Sequence, residues 1–171
     1  MGQFHVRAAT AADANGIAVV HVDSWKETYS GIVPQSFLDA LSYEKRTKAW
    51  LEGFAEHRPF EKVLVVENQN KNITGFAVAG KSREPSFVHQ GELHAIYLLR
   101  NLQGRGLGRM LFEKCVDALH GFGFQSMFVW VLRENPALNF YLRMGAKEFS
   151  ARPIEIGGQQ LEEVALGWER I

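Results

Sequence analysis

The sequence predicts a mixed α/β (α+β) domain, with a mostly antiparallel sheet of six to seven strands flanked by about four to five helices. Three observations carry this expectation. Short β-rich runs bounded by turn residues recur from Phe4 to Trp168. Leu107, Leu111, Cys115 and Leu119 recur every fourth residue, with Met110, Phe112 and Ala118 beside them, which makes one apolar helical face. Hairpin signals at 62–80 and 149–168 give antiparallel pairing, and that long helix separates two strands, so a parallel step interrupts the antiparallel order.

The elements follow in order. Phe4 to Ala8 reads as a strand. Thr10 with Asp13 forms a capping signal for a helix through Ile17, Val20 and Val22 toward Trp25. Pro34 opens a short helix through Phe37, Leu38 and Leu41, and Ser42 caps a third that carries Tyr43, Arg46, Trp50, Leu51 and Phe54. Lys62 to Glu67 and Ile73 to Gly80 read as strands joined by the polar turn Asn68 to Asn72. Lys81 to Gln90 is a loop. A strand over 92–99, a glycine-rich loop and the helix to about Leu119 come next. Phe124 to Leu132 is a β-rich run and Pro136 to Met144 a short helix. Phe149 to Ile156 and Leu161 to Trp168 close the chain as a hairpin around Gly157-Gly158.

At 171 residues, the chain suits one domain spanning 1–171. Nineteen basic and nineteen acidic residues cancel, so no global field favours nucleic acid or a membrane surface. No apolar run approaches the ~20 residues that cross a bilayer. Met1 to His5 lacks the charged and apolar regions of a secretory signal, and the single cysteine suits a reducing cytoplasm.

The chemistry concentrates at Gln103-Gly104-Arg105-Gly106-Leu107-Gly108-Arg109. Before it runs the apolar segment Glu92-Leu93-His94-Ala95-Ile96-Tyr97-Leu98-Leu99, and after it the long helix begins. A strand passing through glycines into a helix start presents converging backbone N–H groups, and the helix dipole adds roughly half a positive charge. Such a site holds phosphate. The P-loop pattern fails, because no Lys-Ser or Lys-Thr follows the last glycine. The dinucleotide fingerprint fails as well, because Arg109 replaces its third glycine and no acidic residue stands about twenty positions on.

What remains, Gln103-x-x-Gly106-x-Gly108, resembles the pyrophosphate loop of the GNAT superfamily of acetyl-CoA-dependent N-acetyltransferases. Asn135-Pro136-Ala137-Leu138-Asn139-Phe140-Tyr141-Leu142-Arg143-Met144-Gly145 resembles a later motif of that superfamily, in which an Asn opens a short helix, a Tyr follows six residues on and a Gly ends it. Trp25-x-x-x-Tyr29-x-Gly31-x-x-Pro34 is similar to acceptor-side segments of bacterial members. The resemblance covers essentially the whole chain, and it implies the GNAT-type version of the mixed sheet.

The resemblance implies acetyl-CoA as co-substrate and no metal. The backbone of Ile96, Tyr97 and Leu98 would pair with pantetheine, and an N–H at Tyr97 or Leu98 would polarise the thioester. The amides from Gly104 through Arg105, Gly106, Leu107 and Gly108 to Arg109 would hold the pyrophosphate. The two arginines add charge-assisted contacts or remain plain solvated charge. Tyr141 would reprotonate the thiolate, or it packs on the core as an amphipathic-helix tyrosine. Asn135 would contact pantetheine, cap the short helix, or do both. Glu92 is the candidate base and His94 its alternative, with an unperturbed pKa of ~6.5 suited to proton transfer; the plainer reading pairs Glu92 with an Arg or Lys. Alternation places Glu92, His94 and Ile96 on one face.

His21, Trp25 and Tyr29, with Phe87, would line the pocket of a small-molecule amine through aromatic walls. Trp25 and Tyr29 are also spaced as a simple helical packing pair. An open groove in place of that pocket would suit a protein N-terminus or lysine, and loss of the acid and base would leave an acyl-CoA-binding module. His89-x-x-Glu92-x-His94 lacks a closed metal ligand set, and Cys115 reads as a core residue. Many relatives of this shape dimerise, but no residue fixes a homodimer here.

Overall fold

The computed structural model describes residues 4–171. Residues 1–3, part of the N-terminal stretch read above as lacking a signal, lie outside them. The seven strands are β1 (Phe4–Ala8), β2 (Glu61–Asn68), β3 (Ile73–Lys81), β4 (Gly91–Leu98), β5 (Met127–Leu132), β6 (Lys147–Ile156) and β7 (Gln159–Trp168). They form one sheet in the order β1-β2-β3-β4-β5-β7-β6. Every pairing is antiparallel except β4 with β5. The five α-helices among the described residues are α1 (Ala14–Tyr29), α2 (Gln35–Asp39), α3 (Tyr43–Ala55), α4 (Leu107–Gly121) and α5 (Leu138–Arg143). No helix among the described residues is long and apolar enough to cross a membrane.

Local chemistry sets the ends of these elements. The Ser42 hydroxyl accepts the Lys45 N–H at 3.2 Å and starts α3. The hairpin turn from Asn68 is held by its own side chain, which accepts the N–H groups of Asn70 and Asn72. Gly157 and Gly158 both have positive φ, 59° and 82°, which a two-residue turn between twisted strands requires. Two expected boundaries move inward. The run from Phe124 joins β5 only at Met127, because the Phe124 N–H bonds back to the Leu119 carbonyl and closes α4. Helix α5 begins at Leu138 and not at Pro136, because the Asn135 side chain takes the Ala137 N–H at 2.8 Å in a turn of its own. In the other direction, α1 runs one turn past Trp25 to Tyr29.

The sheet is covered on both faces. Leu107, Leu111, Cys115 and Leu119 of α4 pack against Ala77, Leu93, Met127, Val129 and Val164, and the expected helical stripe is the core of this face. The Cys115 thiol is buried there and its pKa is pushed up to about 12, so it is a packing residue. On the other face, Ile17 and Val20 of α1 pack on Val65, Phe76 and Val78, while Leu38 and Val33 cover Leu132 beside Tyr29.

Arg7 ties the start of α1 to the sheet. Its guanidinium makes paired 2.8 Å bonds to both oxygens of Asp13, and its Nε bonds Glu67 at 2.8 Å. Asp13 also accepts the Thr10 N–H at 2.8 Å. Arg7 first, and then these other contacts, hold the Asp13 carboxyl down to about 2, against the opposing cost of burial. A depressed carboxyl stabilises the fold above its unfolded pKa and loses that contribution as the pH falls. Asp13→Asn is therefore expected to remove about 2 kcal/mol at neutral pH. Denaturant titrations at pH 7 and pH 2 check it: the wild-type advantage should shrink as the pH drops from about 4 toward 2.

Candidate active site

Strands β4 and β5 are paired only at Gly91 with Met127 and Glu92 with Phe128. Past Glu92 they part, and the β5-facing edge of β4 is left without a strand partner. On its other edge β4 continues along β3, with Ile96, Tyr97 and Leu98 opposite Ala77, Phe76 and Gly75. The backbone groups expected to receive a strand-like ligand therefore lie on an open wedge inside the sheet. The register slips between Val78 and Ala79, so that His94 is an extra residue in β4.

That bulge corrects the alternation read from the sequence. Glu92 and His94 stay together, but Ile96 packs in the α4 cluster while Tyr97 turns toward His21 and Phe76. Gly80 admits the Phe60 carbonyl, which a Cβ there would meet at 2.6 Å, and leaves space beside His94 Cε1, which it would meet at 3.2 Å.

The wedge leads to the glycine-rich loop. A single 3-10 turn, Arg100–Leu102, follows β4, and then Gly104 and Gly106 take left-handed φ values of 72° and 82°. Gly106 is the N-cap of α4. The Gln103 amide donates to the Leu98 carbonyl at 3.0 Å, which holds the loop against the end of β4. Arg105 lies over the Phe4 ring at 5.4 Å, and Arg109 pairs with Glu113 at 2.8 Å on the exposed side of α4. Both arginines already have partners on this chain. Leu107 is buried, and Gly108 sits against Phe140.

Three phenols from three elements converge beside the wedge. Tyr141 of α5 is 5% exposed, edge-on to Trp168 and Phe140, with no hydrogen bond to its hydroxyl among the described residues. Burial raises its pKa and Tyr97 raises it further. Burial likewise raises Tyr29, with Tyr97 and Tyr141 adding to the shift. Burial raises Tyr97 as well. All three stay protonated at any working pH. The Asn135 amide donates to the Tyr29 hydroxyl at 3.1 Å while its oxygen caps Ala137, so one side chain does two jobs. The Trp25 indole donates to the Tyr97 hydroxyl at 3.1 Å and its ring packs 4.6 Å from Tyr29. His21 stacks on Tyr97 at 5.3 Å, and burial pushes its pKa down to about 3. His21, Trp25 and Tyr29 are thus brought together with Tyr97. Phe87 is not among them, because it packs on Phe128, Trp130 and Phe149 over the far strands.

Glu92 is 1% exposed and held by Arg83 through a 2.5 Å bond to the guanidinium and a 2.9 Å bond to the backbone N–H. This is the arginine pairing set out above as the plainer reading. His94 Nε2 lies 3.2 Å from the Lys81 carbonyl, to which it donates, and 3.7 Å from the same carboxylate, while its Nδ1 lies 3.5 Å from Glu61. A second arginine, Arg152, covers the Trp130 ring at 3.9 Å and bonds both Glu84 and Glu163 at 2.6 Å. Sequence reasoning missed Glu61, Arg83, Glu84, Trp130, Arg152 and Glu163. Their spacing carries no motif, and only strand pairing and the fold of the 82–90 loop bring them together.

The model of the acetyltransferase (GNAT) family matches residues 22–146. The chain belongs to that family. It is 39% identical over 163 residues, 95% of this chain and 91% of the relative, to the uncharacterized N-acetyltransferase YuaI of Bacillus subtilis (strain 168). It is 24% identical over 159 residues, 87% of this chain and 85% of the relative, to the probable N-acetyltransferase Rv2775 of Mycobacterium tuberculosis (strain ATCC 25618 / H37Rv). Among solved structures, the PaiA N-acetyltransferase of Thermoplasma acidophilum in complex with coenzyme A shares the fold at a TM-score of 0.76 and 18% identity, over 96% of this chain and 97% of that one. The putative acetyltransferase YncA of Salmonella typhimurium, solved with acetyl-CoA, matches at 0.72 and 21%, over 96% and 92%. The GNAT chain described here is therefore an acyltransferase of this fold.

Asn135→Ala removes the Tyr29 contact and the Ala137 cap together. It is expected to lower the unfolding free energy by about 1–2 kcal/mol. Urea titration checks the loss, and Asn135→Asp, which keeps the cap, should recover part of it.

Proposed function

We propose that this GNAT enzyme transfers acetyl from acetyl-CoA to a primary amine of a small molecule, by direct attack within a ternary complex. The observation that carries the reading is the open β4 edge running from the three phenols to the glycine loop at the start of α4. Pantetheine pairs with Ile96, Tyr97 and Leu98 as an added strand. The amides from Gly104 to Arg109 receive the pyrophosphate, with the α4 dipole behind them.

Each remaining demand of the chemistry has a residue. An alkylammonium has a pKa near ~10 and must lose a proton before it attacks. The Glu92–His94 pair takes that proton. Arg83 holds Glu92 in place, and the imidazole is the member that no arginine claims. An N–H of Tyr97 or Leu98 meets the oxyanion as the new N–C bond forms. Tyr141, kept protonated by burial, gives its proton to the thiolate as the C–S bond breaks and takes back the second proton shed by the attacking nitrogen, so the products are the amide, the CoA thiol and a neutral phenol. The amine approaches past Trp25, His21 and Tyr29.

Calorimetric titration of acetyl-CoA, with NADH and ATP as controls, followed by a thiol-release screen over small amines, tests the whole reading. Tyr141→Phe should lower turnover at least tenfold and leave acetyl-CoA affinity within about twofold, roughly 0.4 kcal/mol. Equal loss of affinity and of folding would instead make Tyr141 a packing residue. Gly106→Asp should abolish acetyl-CoA binding, because it puts a side chain at φ 82° and a negative charge where phosphate sits. Unchanged binding would end the loop assignment.

A further inference from the structure

A cavity of about 430 Å³ lies between α3 and the start of β2, outside the β4–β5 wedge. Arg46, Trp50 and Phe54 of α3, His21 of α1, and Glu61 and Val63 of β2 line it. A volume of that size holds a metabolite, and few buried polar groups line such sites without a purpose. Behind its wall, the Trp50 indole N–H and His21 Nδ1 are buried away from the cavity space and make no hydrogen bond among the described residues. An indole N–H can only donate, so what it lacks is an acceptor.

The charges at the cavity point the same way. Arg58 bonds Glu56 at 2.7 Å and Glu61 at 3.1 Å, so both carboxylates are already answered. Arg46 makes no ion pair among the described residues, yet its charge is close enough to His21 to help lower that imidazole's pKa. The unclaimed Arg46 guanidinium therefore lines a partly open cavity whose wall also carries the Trp50 ring and a neutral imidazole, His21. The guanidinium fork matches the two oxygens of a carboxylate.

We propose that this cavity binds the carboxylate of a small organic acid, either free or carried by the acceptor amine itself. Occupancy reaches the reaction strand by two routes. His21 stacks on Tyr97, and Glu61 touches His94. Binding in the cavity does not require acetyl transfer, so the two readings can fail separately.

The test is calorimetry and tryptophan fluorescence on the full chain, with succinate, L-glutamate and inorganic phosphate as probes and acetyl-CoA titrated into the same preparations. A carboxylate should bind and change the fluorescence. Arg46→Ala should weaken that binding at least tenfold and should leave acetyl-CoA affinity unchanged. Arg46→Lys controls for folding: it keeps the charge, loses the fork and should bind at an intermediate level. Succinate binding that shifts turnover of another amine marks a free acid; thiol release with glutamate marks the acceptor's own carboxylate. No carboxylate binding at millimolar concentration, binding of phosphate alone, or binding unchanged in Arg46→Ala overturns the proposal.

Discussion

A strand edge inside a sheet, with N–H and C=O groups that meet no neighbour, costs free energy unless a ligand or water bonds them. Strand β4 carries such an edge past Glu92, and the placement of the site follows from it. Full parallel pairing of β4 with β5 would close the wedge, bury Ile96 to Leu98 in the ladder and leave the α4 N-terminus facing only solvent. The divergence instead leaves β4 with a free edge, which on the reading proposed above is the template that an extended ligand would complete. The His94 bulge acts with it by shifting the parity of everything downstream, so that Tyr97 and not Ile96 looks toward α1.

Around that edge, polar groups are satisfied in pairs. Asn135 holds Tyr29, Trp25 holds Tyr97, and Gln103 holds the Leu98 carbonyl. Each bond joins two different elements, so the loop, α1 and the Asn135 turn are all registered against β4. Tyr141 stands apart, with a buried ring and a hydroxyl that no protein group claims among the described residues. A phenol held protonated and left unengaged is in a suitable state to donate to something that arrives.

The sequence made the elements and the loop legible because their signals are local. The fourfold apolar spacing from Leu107, the Ser42 cap and the Gly157-Gly158 turn each depend on residues a few positions apart. Asn135, Tyr141 and the Trp25–Tyr29 pair were legible because they sit in short motifs. The parity of β4 was not, since a bulge leaves no mark in a run such as Leu93-His94-Ala95-Ile96, where every residue fits a strand. The partner of Glu92 could be foreseen only as some basic residue. That it is Arg83 depends on the 82–90 loop folding back over the strand, which no periodicity encodes.

The overall charge of zero conceals an ordered arrangement on this face of the sheet. Arg83 answers Glu92, Arg152 answers Glu84 and Glu163, and Arg58 answers Glu56 and Glu61. A polycationic amine would have to displace an arginine from each carboxylate it used, losing one charge-assisted contact for every one it gained. On the reading proposed above, an amine with a single positive charge escapes that competition, because it would need only the proton acceptor proposed at His94. If it also carried a carboxylate, Arg46 makes no ion pair among the described residues and would be free to meet it. On that reading the pairing of the carboxylates would act as a filter on substrate charge, without giving the protein any net charge of its own.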